Sequence, residues 1–262
     1  MSSAAVADHP RAGLLGAVRS EWTKLRTVPS TFWAAGAAVV LVVAGIVIAS
    51  MSTRSQHASG AADPFSSSAP YVAGQVFDYL VQWAAVGLAV LMITSEFGNG
   101  SIRTTLQWIH SRGRLLAAKA LVLVPVLLLL GAVLGALSIG AAVVGLGEYG
   151  EDFTAAYAVK VVFGIAVYLP MVGLFCLGVG TALRSAATTV CTAFVVLLIL
   201  PSLLPSVGLG TVGAYMQGHA GSTLMKAVGD DYYGPGGAVV VALCWSAVAL
   251  GAGYAALRRR DA

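Results

Sequence analysis

Side chains able to perform covalent or metal chemistry are few in this 262-residue sequence, and their spacing does not assemble a reaction centre. The four histidines, His9, His57, His110 and His219, are scattered, with no HExxH pair to hold zinc. No GxSxG nucleophile turn is present. The three cysteines, Cys176, Cys191 and Cys244, all fall inside apolar runs and form no CxxC pair, so plain buried thiols are expected. Asp230 and Asp231 form a lone acidic pair that reads as a solvated turn rather than a metal site. A phosphate-binding loop needs a glycine-rich turn ending in Gly-Lys. The four lysines, Lys24, Lys119, Lys160 and Lys226, follow Thr23, Ala118, Val159 and Met225, so no such turn exists. The chain is therefore expected to hydrolyse no nucleotide, to carry no catalytic residue and to need no cofactor or metal.

Polar groups placed among apolar ones are more informative. Gln75, Asp78 and Gln82 fall on one helical stripe, and a polar stripe facing lipid is costly. It is expected to face protein or water, so these three are candidates for a translocation path, beside a plainer reading as packing or surface groups. Gly131 and Gly135 form a GxxxG pair, which permits close helix approach.

The elements that position these groups follow from composition. Hydrophobic residues make up 58% of the chain and charged residues 10%. A soluble domain carries about 25% charged residues, so this chain lacks the charge to coat a water-facing surface. Its charges cluster between long apolar runs. Six runs are long enough to cross a bilayer, at 31–50, 76–95, 115–146, 159–182, 186–204 and 238–257. The fold class is therefore an all-α membrane protein forming one transmembrane domain over 1–262. The third run exceeds one straight crossing, and Pro125 is expected to kink it unless its ends project. Pro201 and Pro205 are expected to break the end of the fifth. The first run is longer than the apolar core of a signal peptide and reads as an uncleaved anchor.

Charge asymmetry gives an orientation. With the N-terminus inside, twelve of fifteen Lys and Arg residues lie on the cytoplasmic side, leaving Arg54, Lys160 and Lys226 outside. Asp63, Asp78, Glu148, Glu151, Asp152, Asp230 and Asp231 fall on the external side. Both termini are basic, which suits an even number of crossings. The expected setting is a bacterial plasma membrane, crossed several times, with both ends cytoplasmic. The basic balance serves the membrane edge rather than nucleic acid. The external segment 51–75 reads as flexible, while 205–237 is too apolar for a plain loop and is a candidate for dipping into the bilayer. The apolar middle of the runs argues against a carrier driven by an ion gradient, which would place ionisable groups there.

Two segments could meet a partner. Residues 12–28 are amphipathic, with Leu14, Leu15, Val18, Trp22 and Leu25 on one face and Arg19, Thr23 and Arg26 on the other. Such a helix lies in the headgroup plane, with Pro29 ending it before the first run. The stretch Glu96–Arg114 reads EFGNGSIRTTLQWIHSRGR. Gly98 and Gly100 allow a sharp exit, and Asn99 or Ser101 could cap a short helix. Ile102, Leu106 and Ile109 would share one face of that helix, and Arg103, Gln107 and His110 another. A basic loop that sets topology and a short helix presented to a cytosolic protein both fit.

The run S-E-F-G-N-G-S-I-R-T-T-L, followed by S-R-G-R-L-L-A-A-K-A, resembles the inner loop of ABC-2-type transporter permeases. The opening R-S-E-W-T-K-L-R-T-V-P-S-T-F-W resembles the start of the same family. Phe97-Gly98 departs from the aromatic-then-polar pair common there. The resemblance implies an N-terminal elbow helix, a coupling helix between spans two and three, and a partly re-entrant region between spans five and six. It implies a separate ATP-binding subunit, usually two permeases with two ATPases, and export of an amphipathic or hydrophobic substrate. Coupling candidates are Glu96, Ser101, Ile102, Arg103, Leu106, Ile109, Arg112 and Arg114. Alternatives are an ion-gradient-driven transporter and a membrane assembly factor.

Overall fold

The computed structural model describes residues 13–27, 29–60, 65–98 and 112–259. Among them the chain is helical apart from short turns and one isolated bridge between Ser68 and Glu151. Six helices are long and apolar enough to cross a membrane: Phe32–Ala58, Ala69–Met92, Gly113–Tyr149, Ala155–Leu183, Ala186–Ser206 and Pro235–Arg259. Large apolar side chains line the outside of the bundle; Val40, Leu129, Val144 and Val248 are each more than half exposed. Water would penalise such a surface, whereas lipid tails accept it.

α1 (Leu14–Thr27) stops one residue before α2 (Pro29–Ala58), as expected where proline cannot donate and restricts its predecessor. α2 runs eight residues past the predicted end at Ser50, so much of 51–75 is helix rather than flexible loop. Its added turns bond inward, with Thr53 Oγ1 donating to the Ala49 carbonyl and Arg54 donating to the Gly145 carbonyl of the third span. The second span starts earlier than predicted. It comprises α3 (Ala69–Val76), a π-helical turn at Phe77–Val81, and α4 (Gln82–Gly98).

α5 (Arg112–Leu146) is one 35-residue helix that continues through Pro125. α6 (Ala155–Leu183) opens with Thr154, whose hydroxyl accepts from the Tyr157 amide, and closes on Arg184 in the left-handed conformation (φ 56°). The fifth span is α7 (Ala186–Phe194), a π turn at Val195–Ile199, and α8 (Leu200–Ser206). Its irregularity lies upstream of the prolines. Pro201 lies within a helical run that continues from the π turn to Ser206, so the predicted break at Pro201 is absent. Two short helices follow, α9 (Gly210–Ala214) and α10 (Gln217–Lys226), before α11 (Pro235–Arg259).

α6 is the most enclosed helix and packs on α4, α5, α10 and α11. Glycine sets these approaches. A Cβ on Gly131 of α5 would stand 2.9 Å from the Ala166 Cα, so the predicted GxxxG face does pack, against α6. A Cβ on Gly178 would meet the Ala249 backbone of α11 at 2.3 Å. With no hydrophobic drive between helices in lipid, such close backbone contact is a main source of cohesion. Cys176 is buried as expected, but Cys191 and Cys244 are exposed, because their helix faces point out of the bundle.

Candidate functional site

Two regions concentrate polar groups inside this apolar bundle. The first is the dip made by α9 and α10. The Tyr168 hydroxyl, near the middle of α6, donates to the Gln217 carbonyl at 3.1 Å. A Cβ on Gly218 would strike the Leu197 carbonyl, midway along the fifth span. The chain therefore leaves the end of α8, descends through α9 to about half the depth of the bundle, and climbs back through α10. A backbone that reverses among apolar side chains must have its carbonyls satisfied. Side chains from neighbouring helices do this. Tyr233 Oη donates to the Ala214 carbonyl, Trp245 Nε1 to Tyr215 (2.8 Å), and Tyr157 Oη to Lys226 (2.9 Å). Gly74, Gly164 and Gly221 admit α10, since a Cβ at each would collide with Met225, Leu224 and Tyr168 respectively. Both π turns lie against α10.

Lys226, the last residue of α10, forms an ion pair with Asp78 (3.0 Å) in the first π turn, and both side chains are largely buried. Its ammonium also donates to Ser222 Oγ and lies near the Tyr71 and Tyr79 rings. This pair ties the dip to the second span. Deeper in the bundle, Gln82 and Gln217 are fully buried, and the Oε1 of each lacks a hydrogen-bond partner. Gln82 Nε2 donates to the Asp78 carbonyl, and Ser246 Oγ donates to the Met171 carbonyl. The expectation of an apolar bundle middle is thus corrected: tertiary packing places carboxamides and hydroxyls there that belong to different segments.

The predicted stripe of Gln75, Asp78 and Gln82 does not stay together. The π turn adds residues to the helical period and rotates the positions after it. Gln75 is half-buried and lines a cavity against α2; Asp78 faces Lys226; Gln82 is enclosed.

Beyond Lys226 the chain folds over α10. Asp230 accepts from the Tyr232 and Tyr233 amides at 2.9 and 2.8 Å and contacts His219 Nε2. Partial burial alone would raise the Asp230 carboxyl. The His219 bond and the two amides outweigh it and hold the group below its usual value. Burial pushes the Tyr233 hydroxyl well up, with Asp230 and Tyr215 adding to the effect.

The second region lies at the opposite end of the bundle. Glu21 of α1 meets Lys119 of α5 at 2.8 Å, and both side chains are almost completely buried. Lys119 also donates to the Met92 carbonyl of α4, and Glu21 holds Lys24 on its own helix. One buried pair thus joins α1 to the second and third spans. The face of α1 that packs on the bundle is Ala17 and Glu21, against Leu115 and Ala118, while Leu14, Leu15 and Trp22 of the apolar stripe point outward. A buried ammonium needs its counter-ion, which draws Glu21 inward. Lys119, expected as an orienting charge at the membrane edge, is therefore a core residue.

Of the coupling candidates, Arg114 is exposed in the first turn of α5. Ser101, Ile102, Arg103, Leu106 and Ile109, and the side chains of Glu96 and Arg112, lie outside the described residues. No group of three or more metal-ligating side chains occurs among the described residues.

The fold and the buried polar contacts define an all-helical protein with six membrane-crossing candidates and a short helical dip between the last two. Comparison with known proteins finds no matching family model and no matching curated protein.

Proposed function

We propose that this chain is the membrane subunit of an ATP-driven transporter of the ABC-2 type, exporting an amphipathic or hydrophobic substrate. The observation that carries the reading is the order of parts: a docked helix α1, six candidate spans, a basic segment between the second and third, and a dip between the fifth and sixth. The local motifs of 95–120 and 19–33 agree with that order. ATP is hydrolysed on a separate subunit, because no lysine follows glycine in this sequence. Two copies of the chain pair with two ATPases, in a bacterial plasma membrane with both termini cytoplasmic. Residues 101–110 form the contact that receives the ATPase stroke. The Glu21–Lys119 pair, anchored a short way along α5, passes that stroke to α1 and the second span.

Affinity purification in mild detergent tests this. The wild-type chain is expected to bring down an ATPase with a phosphate-binding loop, whereas Ile102→Asp with Leu106→Asp inserts normally but loses it. Retention of the ATPase by that double variant would remove the coupling assignment.

The buried Asp78–Lys226 pair favours a second reading, a carrier driven by an ion gradient. That reading requires substrate movement in vesicles holding this chain alone under a proton gradient, abolished by Asp78→Asn.

A further inference from the structure

Between α2 and the α3–π segment lies a cavity of about 360 Å³, within the usual size range for small-ligand sites. Its lining changes character along its length. α2 and α3 run antiparallel, and a Cβ on Gly45 would meet Val76 Cγ1 at 2.5 Å and Leu80 Cδ1 at 3.1 Å. The deep end is therefore closed by Gly45, Ala49, Val76 and Leu80, all apolar. The end nearer the helix termini is walled by Ser52, Gln56, Ser66, Tyr71 and Gln75. At about 1.5 Å per residue, the wall from Gly45 to Gln56 spans about 16 Å. Ile48 and Tyr79 also line the cavity and are more than half exposed, so its side opens where lipid would stand.

The charge pattern narrows the occupant. Among the described residues, no Asp, Glu, Lys, Arg or His lines the cavity. Lys226 and Asp78, beside this wall, are paired with each other. Lys226 sits 6.0 and 5.8 Å from the centroids of Tyr71 and Tyr79. Among the described lining residues an anionic head would find no cation, and a cationic head would approach rings already polarised by an ammonium. What the walls offer is uncharged hydrogen bonding. The Gln56 and Gln75 carboxamides make no side-chain hydrogen bond among the described residues. Each carboxamide presents two donors and an acceptor.

We infer that this cavity holds an uncharged, hydroxyl-bearing amphipath from the leaflet at that end of the bundle, of the glycosyl diacylglycerol class. Its polar head lies between Gln56 and Gln75, and its first chain carbons lie over Ala49 and Leu80. There is room for one sugar ring with its glycerol. The inference goes beyond the transport reading and stands without it, since binding needs no ATPase.

The test uses the purified full chain in an amine-oxide micelle, read by native mass spectrometry. The probes are glucosyl diacylglycerol, diacylglycerol, phosphatidylglycerol and phosphatidylethanolamine. The glucosyl lipid is expected to bind at least about tenfold tighter than each of the other three. Gln56→Ala with Gln75→Ala is expected to lower its affinity about tenfold, two lost hydrogen bonds of about 1 kcal/mol each setting the upper range. Ala49→Phe fills the apolar end and is expected to act alike, while Val47→Phe, on the exposed face of the same helix, leaves binding unchanged. Equal or tighter binding of phosphatidylglycerol, or an undiminished affinity in the double glutamine variant, overturns the inference. Should Ala49→Phe fail to fold, the glutamine pair, which sits on the cavity's open wall, still decides it.

Discussion

Glu21 and Lys119 show how much a single pair of residues contributes in this chain. Taking one partner away from a buried ion pair costs up to about 3–5 kcal/mol, and less where the remaining charge keeps another partner, as Glu21 keeps Lys24. Glu21→Gln and Lys119→Met are each expected to lower the melting temperature in detergent sharply, while Glu21→Leu combined with Lys119→Met recovers most of the loss. Additive losses in the double variant would show that the two charges do not pair. Tyr168 is the second such residue. Tyr168→Phe removes the hydroxyl bond to the Gln217 carbonyl inside the bundle, with an expected cost of about 0.5–1.5 kcal/mol in the same melting experiment. Asp230 gives a pH dependence of known sign. Its folded value is depressed, so its contribution is complete above the ordinary carboxylate range and is lost as pH falls through the lowered value. The protection of the amides across 227–234, measured against the intrinsic exchange rate at each pH, is expected to fall on acidification through that window. In Asp230→Asn the exchange is expected to be fast already at neutral pH and to show no such transition.

At the scale of elements, α10 is the part whose position depends most on small neighbours. It is only ten residues long, too short to be a stable helix alone. Neighbouring backbone holds it, at Gly74 of α3 and Gly164 of α6, and its own Gly218 lets it lie on the π turn of the fifth span. Gly164→Leu is expected to expel α10 from the bundle, because its Cβ alone would sit 1.9 Å from the Leu224 carbonyl. A cysteine in place of Thr223, buried on α10 and close to it in size, would report the movement as a gain in labelling rate. Gly87→Ala in α4 meets nothing within 4 Å and is expected to be neutral or slightly stabilising through helix propensity alone. Equal behaviour of the two variants would show that glycine does not position α10.

For the whole molecule, the decisive question is the path of the chain through the bilayer. Arg114 opens α5, and Phe153 follows its far end. Single cysteines at these two positions, on a background lacking Cys191 and Cys244, are expected to label from opposite sides of sealed vesicles. The proposed orientation puts position 114 inside. Labelling of both from one side would break the six-crossing arrangement. The same experiment separates orientation from fold, since an inverted chain still labels from opposite sides.

Much of this architecture was legible in the residues. Apolar runs of sufficient length mark where helices cross, and mean hydropathy reads them without knowledge of neighbours. Pro29, Gly131 and Gly135 carry local meanings, a helix end and a close approach, that hold in the structure. Helix ends were less legible: Ser52 and Gln56 look like loop residues in sequence, but α2 continues through them because Thr53 and Arg54 find carbonyl partners. The π turns were invisible, since period counting assumes 3.6 residues per turn, and they dispersed the stripe at Gln75, Asp78 and Gln82. The polar contacts that distinguish this bundle join residues far apart in the chain, Glu21 with Lys119, Asp78 with Lys226 and Tyr168 with Gln217. Each residue alone resembles an edge charge or a loop amide. A lone Tyr or Trp with a polar tip inside an apolar run was the one available signal, at Tyr168 and Trp245. Composition and spacing determine that these helices are apolar and how many there are, because transfer into lipid is a property of each segment. Which polar groups meet between them is decided only when the segments pack, because burying a charge or an amide is tolerable only beside its partner.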